Sequence, residues 1–203
     1  MIKFNNIINE KIRVRDMQHT YTNDYLHAAD HFIASNDQSL LLTLIKNFPG
    51  LHKEITQHIK KEYGNTVTLY RGMAFEDEEW QENIGSATMH EEKVLKSYSG
   101  RTVFSWTSNY KIAQVFASAS NQYTLREVMD GYGIIFEAEI PAEQILFAMP
   151  LFDIMDIKNV EDRRGYDFHG LKSYYDQDEF TVWHNKPVTA TVVEFERHDY
   201  SDA

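Results

Sequence analysis

The sequence predicts an α+β protein in which a helical N-terminal block, residues 1–64, leads into a β-rich part, residues 65–203, within one domain. Three observations lead there. Apolar residues recur every three or four positions between Thr20 and Tyr63, whereas from Thr66 onward most apolar runs alternate with a period of two. The third lies mid-chain. Arg101 to Phe104 favours a strand, Ser105-Trp106-Thr107-Ser108 is a cluster of hydroxyls, and Ile112, Val115, Phe116 and Ala119 return to helical spacing. A strand, a polar corner and a helix follow one another.

Three helices are expected in the first block. Asn23 or Asp24 caps the first, whose stripe is Tyr25, Leu26, Ala29, Phe32 and Ile33. Asp37 caps the second, Leu40 to Phe48, which Pro49-Gly50 ends; the third spaces Leu51, Ile55 and Ile59 four apart and stops at Gly64. His27 and His31 stand four apart around Asp30, a spacing able to hold a metal. No glutamate follows His27 and no third ligand is evident, so no metal is expected.

Thr66 to Gly72 reads as a strand with Val67 and Leu69 on one side and Thr66, Thr68 and Tyr70 on the other. Arg71 ends it, either presenting its guanidinium to a ligand or pairing with a carboxylate, and Gly72 permits close backbone approach. The acidic segment from Glu76 to Glu82 reads as a solvated helix or loop. Asn121 to Tyr132 is polar, with turn signals at Asp130-Gly131 and Gly133, and reads as a loop or frayed helix end. Ile134 to Ile140 alternates as a half-buried strand ended by Pro141, and Ile145 to Ala148 reads as a short strand. Met149 to Asp176 has little periodicity. A loop that long is expected to face a substrate. Glu179 to Trp183 and Val188 to Phe195 read as strands joined by a turn at His184-Asn185-Lys186-Pro187.

Composition excludes several function classes. With no cysteine, there is no disulfide, thiolate metal site or cysteine nucleophile. The net charge of −11 argues against gripping nucleic acid by broad phosphate neutralisation, while leaving a local contact open. It favours solubility or encounter with basic partners. No apolar run is long enough to span a bilayer, and Met1 to Lys11 lacks the apolar stretch of a signal peptide, so a soluble, cytoplasmic protein is expected.

Chemistry-bearing residues gather in three places. They are the arginine of Leu69-Tyr70-Arg71-Gly72, the hydroxyls of Ser105-Trp106-Thr107-Ser108, and the strand-start acid of Gln177-Asp178-Glu179-Phe180. Hydroxyls and unpaired amides at a helix entrance either cap the helix or hold an amide or phosphate. In this order the three places resemble the Arg-Ser-Glu group of mono-ADP-ribosyltransferases, which includes cholera-like toxins, clostridial actin-modifying toxins and T-even phage enzymes. The resemblance runs from about Val67 to Phe195, and the helical block is similar to the N-terminal helices of small phage and toxin transferases.

The resemblance implies a core of two packed, mostly antiparallel sheets. It also implies transfer of ADP-ribose from NAD to a macromolecular acceptor, a host protein side chain or a nucleic-acid base, with release of nicotinamide and no metal. Arg71 would contact the NAD phosphates, the backbone at Gly72 the nicotinamide amide, and Ser105 would buttress the pocket. Glu179 would bind the ribose hydroxyl and stabilise an oxocarbenium-like state, and Phe116 would pack against nicotinamide. A phage-encoded enzyme of this kind would act in the host cytoplasm. Water as acceptor would instead make the protein an NAD glycohydrolase, and a fold kept without turnover would make it an interaction protein.

Two departures from the family pattern bear on the site. Relatives read Ser-Thr-Ser, so the order here leaves open whether Ser105, Thr107 or Ser108 supplies the buttressing hydroxyl. Arginine-modifying relatives carry a glutamate two residues before the catalytic one, where this chain has Gln177, as in relatives that modify asparagine or guanine. A carboxamide is no base, although Asp176 and Asp178 flank it. Acceptor recognition is expected from Gln177 and the preceding loop, with Tyr166, Phe168, His169, Tyr174 and Tyr175 as an aromatic wall.

Overall fold

Tyr25, Leu26, Ala29 and Phe32 form the buried stripe of the first helix, α1 (Thr22–Ser35), and place one side of the N-terminal block against the sheet. A computed structural model describes residues 22–76, 84, 86–95, 101–118, 130–153, 157 and 168–199. The acidic segment after Glu76, most of the 121–132 stretch and Tyr166 lie outside them. Helix α2 (Ser39–Asn47) is entered through Asp37, whose carboxylate accepts from the Ser39 amide at 2.9 Å. Helix α3 (Pro49–Tyr63) begins at Pro49, so this proline starts one helix as well as ending another, its fixed φ suiting the first turn. Gly64, at φ 96°, ends α3. No described helix is long and apolar enough to cross a membrane.

The strands are β1 (Thr66–Glu76), β2 (Glu92–Leu95), β3 (Val103–Thr107), β4 (Asp130–Pro141), β5 (Ile145–Ala148), β6 (Glu179–Trp183) and β7 (Val188–Asp199). Two further helices are α4 (Tyr110–Ala117) and α5 (His169–Ser173). The strands join in the order β2-β7-β4-β1-β3-β6-β5, every pair antiparallel. The α+β class follows. The two packed sheets expected from the resemblance are replaced, among the described residues, by one hydrogen-bonded sheet of seven strands. Its halves meet at one pair of Cα partners, Tyr70↔Thr107, whereas β1 and β4 pair over the whole length of β1.

Local signals gave way in three places. Asp130-Gly131-Tyr132, expected in a loop, belongs to β4, because β1 and β7 flank it and pairing on both edges satisfies its backbone groups. Ser105 and Thr107 stand within β3 and pair with Thr181 and Glu179, so the expected hydroxyl corner is largely strand. Helix α5 arises inside the expected substrate loop, docked on α1 by two contacts. The Leu171 amide donates to the buried Asp30 carboxylate at 2.8 Å, and Gly170 sits so near α1 that a Cβ would lie 2.6 Å from the Asp30 carbonyl oxygen.

One apolar core runs from α1–α3 across both halves of the sheet, with Trp106, Phe136, Phe147, Phe168 and Phe180 fully enclosed. The Tyr25 hydroxyl donates to the Leu146 carbonyl and ties α1 to β5. A smaller cluster, Ala113, Ala117 and Ile135 with Tyr70, Tyr110 and Val193, holds α4 against β1 and β4. Gly72 makes that contact possible. An added Cβ would stand 1.8 Å from the Ala113 carbonyl oxygen.

Candidate active site

Where β1 and β3 meet at their single pair, a cavity of about 470 Å³ opens, of a size common for small-ligand sites. Its walls include Arg71 and Gly72 from β1, Ser105 and Thr107 from β3, Ile112 and Phe116 from α4, and Tyr174, Gln177 and Glu179. The wall also includes the end of α1 and the turn after it, from Phe32 to Asn36, together with Arg101.

Glu179 is the chemical centre. It opens β6 opposite Thr107, and its carboxylate accepts a hydrogen bond from the Ser105 hydroxyl at 2.8 Å. Only 6% of the residue is exposed. Burial pushes its carboxyl up to about 7, against the opposing pull of the Ser105 hydroxyl and the Arg71 guanidinium. A carboxyl that changes charge near neutrality is suited to stabilise a developing cation or take a proton.

Arg71 is fixed on several sides. One Nη donates to the Ser105 carbonyl at 2.7 Å, Nε lies 3.3 Å from the Met73 sulfur, and the guanidinium carbon stands 4.9 Å from the centroid of the Phe104 ring. Behind that ring, His184 packs with a 4.6 Å centroid separation, and its Nε2 accepts from the Trp106 indole at 3.2 Å. Burial and the Arg71 charge lower the His184 imidazole to about 4, so it braces the arginine as a neutral ring.

The three hydroxyls divide the labour that the sequence left unassigned. Ser105 meets Glu179. Thr107 donates to the Gln177 carbonyl at 2.7 Å and accepts from the Asn109 amide at 3.0 Å. The Ser108 amide reaches the Asp178 carbonyl at 3.4 Å, and Ser108 is not part of the cavity wall. Thr107 and Ser108 thus hold the turn before Glu179, in which Asp178 takes a left-handed conformation at φ 48°. The side chain of Asn109, accepting from the Lys111 amide, is the cap of α4.

Gln177 lies with 6% exposure on the cavity wall, and its amide nitrogen has no hydrogen-bond partner among the described residues. A buried unmatched donor costs roughly 1–3 kcal/mol, which a bound carbonyl or ring acceptor would offset. Asp176 and Asp178 are not in the wall. The aromatic wall is mostly elsewhere: Phe168 is fully buried in the core, Tyr175 donates to the Phe152 carbonyl at 3.0 Å, His169 is exposed, and only Tyr174 lines the cavity. The helical turn of α5 rotates these side chains apart.

No signal in the sequence marks the end of α1 or Arg101 as part of the site. Nothing in the period of α1 distinguishes its last turn, and Arg101 reads as the start of a strand. His27 and His31 sit on α1 away from the cavity wall, and among the described residues no group of three His, Asp or Glu converges to hold a metal. Fold and site together define an α+β protein with a buried glutamate, a braced arginine and a serine converging on one cavity. No protein-family model matches the chain, nor does any curated protein or solved structure.

Proposed function

We propose that the protein is an NAD-dependent mono-ADP-ribosyltransferase. The observation that carries this reading is the 2.8 Å Ser105–Glu179 hydrogen bond in a cavity that Arg71 also lines. Breaking the bond between the anomeric carbon and nicotinamide leaves the electron pair on the departing ring and positive charge on the sugar. A buried carboxylate next to that carbon stabilises the charge in a site where water does not screen it. Ser105 aims the carboxylate, and Arg71 pins the diphosphate through its planar fork. The acceptor then bonds to the anomeric carbon and gives up a proton, which a carboxylate poised near neutrality is able to take. Phe116 and Tyr174 supply flat apolar surface to the nicotinamide and acceptor sides, respectively.

The amide of Gln177 favours an acceptor that presents a hydrogen-bonding edge, a side-chain amide or a nucleobase, over a guanidinium. The test is NAD labelled in its adenylate part, incubated with protein and cell lysate, with and without nuclease or protease. Label on a macromolecule supports the reading. Free ADP-ribose alone would make the enzyme a glycohydrolase, and intact NAD would make the chain a non-catalytic binder.

Two variants probe the assigned roles. Arg71→Lys is expected to raise KM for NAD about tenfold, since a point charge does not reproduce the fork that the braced guanidinium presents. An unchanged KM would remove the arginine from phosphate binding. Gln177→Ala is expected to lower transfer to the acceptor at least tenfold more than it lowers nicotinamide release to water. Equal losses on both measurements would leave Gln177 a structural residue.

A further inference from the structure

We propose that Arg101 is a second anion-gripping residue, which holds the diphosphate–adenosine part of the dinucleotide at the end of the cavity away from Glu179. This rests on the transferase reading. Among the described residues, the charged groups of the cavity wall are Arg71, Glu179 and Arg101. Arg71 is engaged by the Ser105 carbonyl and the Phe104 ring, and the next position, Gly72, has no room for a side chain. Arg101 is exposed and forms no ion pair with any described residue.

Its placement is built rather than incidental. One side-chain oxygen of Gln38 accepts from the amides of Thr102 at 2.8 Å and Val103 at 2.9 Å, the two residues that follow Arg101. Gln38 belongs to the same connection that turns the chain out of α1 through Asn36, at φ 59°, so one turn fixes both the α1 wall and the backbone carrying Arg101. Four residues of extended chain separate Arg101 from Ser105, about 13 Å. With its backbone that far from Ser105, Arg101 is placed to carry its guanidinium to a phosphate further along the ligand than the ribose.

The experiment is calorimetric titration of ADP, which lacks nicotinamide, into the wild type, Arg101→Gln and Arg101→Lys, with steady-state kinetics on NAD alongside. Arg101→Gln should bind ADP about tenfold more weakly and raise KM for NAD similarly, with kcat changed less than twofold. Arg101→Lys should recover part of the loss, and added salt should weaken ADP binding less in Arg101→Gln than in the wild type. Because Arg101 is exposed, the unfolding temperature of each variant should stay near that of the wild type, so lost folding does not stand in for lost binding. Equal ADP affinity in wild type and Arg101→Gln overturns the inference and leaves the transferase reading intact. So does a loss confined to kcat. If ADP binding depends on Arg101 but NAD is never cleaved, the subsite stands and the transferase reading falls. A wild type that binds no ADP overturns the subsite whatever happens to NAD.

Discussion

Glu179→Gln is expected to lower nicotinamide release from NAD at least about a hundredfold and, at the same time, to stabilise the protein at pH 8. The catalytic half follows from exchanging a carboxylate for a neutral group of the same shape where cationic charge develops, a loss on the order of 3 kcal/mol. The stability half follows from the burial that pushes the carboxyl up to about 7 from an ordinary 4.5. At 1.36 kcal/mol per pKa unit, holding that carboxylate ionised in the folded state costs about 3 kcal/mol.

The sign follows from proton linkage. The folded pKa exceeds the unfolded one, so the contribution to stability is fully present below about 4.5 and is lost as pH rises through about 7. The advantage of the glutamine variant should therefore be greatest above pH 7 and fade toward pH 5. His184, lowered to about 4, titrates the other way, its contribution falling as pH drops below 6.5, but it is common to both proteins and cancels in the comparison. For a chain of this length, the gain corresponds to an unfolding temperature roughly 6 °C higher at pH 8. In the wild type, kcat/KM for NAD should rise with pH through about 7 as Glu179 ionises. Thermal unfolding at pH 5 and pH 8, with nicotinamide release assayed across the same range, checks both halves. Near wild-type turnover would end the catalytic assignment. Unchanged stability at pH 8 would mean that the carboxylate is better solvated than its burial indicates.

Gly72→Ala is expected to be severely damaging for a single added methyl. The new Cβ would stand 1.8 Å from the Ala113 carbonyl oxygen, 2.7 Å from its carbon and 2.9 Å from the Ala117 amide nitrogen. All three are backbone atoms of α4, so no side chain can swing aside and the helix must lift from β1. Overpacking of this kind costs 1–3 kcal/mol where a core can give, and a rigid obstacle places this case at or above about 3 kcal/mol. Lifting α4 also displaces Ile112 and Phe116 from the cavity wall. Low soluble yield, or an unfolding temperature lower by roughly 6 °C or more, together with loss of NAD turnover, is the expected outcome. A variant that unfolds within 2 °C of the wild type would show that α4 and β1 are not this close.

Much of the architecture was legible because it depends on local periodicity. The stripe of α1, the alternation in β1 and β4, and the stops at Pro49 and Gly64 are consequences of where apolar side chains fall and which residues allow a turn. Ser105 and Glu179 were legible as candidates because each lies beside a break in period, whereas Arg71, expected to end its strand, stands midway along β1, because pairing with β4 carries that strand past Gly72 to Glu76. Strand β2 was not legible. Its four residues are half-exposed on a sheet edge, where little burial imprints a pattern.

By itself, the sequence determined the helix-then-strand order, the absence of cysteine chemistry, the acidic charge and the arginine, hydroxyl and glutamate motifs. Tertiary structure alone decided which hydroxyl meets the glutamate, because Ser105 reaches Glu179 only through the register of β3 against β6. It alone decided that Phe168 and Tyr175 turn from the cavity while Gln177 lines it, through the docking of α5 on Asp30. It also brought the end of α1 and Arg101 to the same wall through one glutamine side chain. The physical reason is range. Periodicity records which face of an element is buried, whereas register, close backbone approach and the raised carboxyl of Glu179 arise between residues far apart in sequence, Ser105 and Glu179 by 74 positions, or from burial by the whole fold.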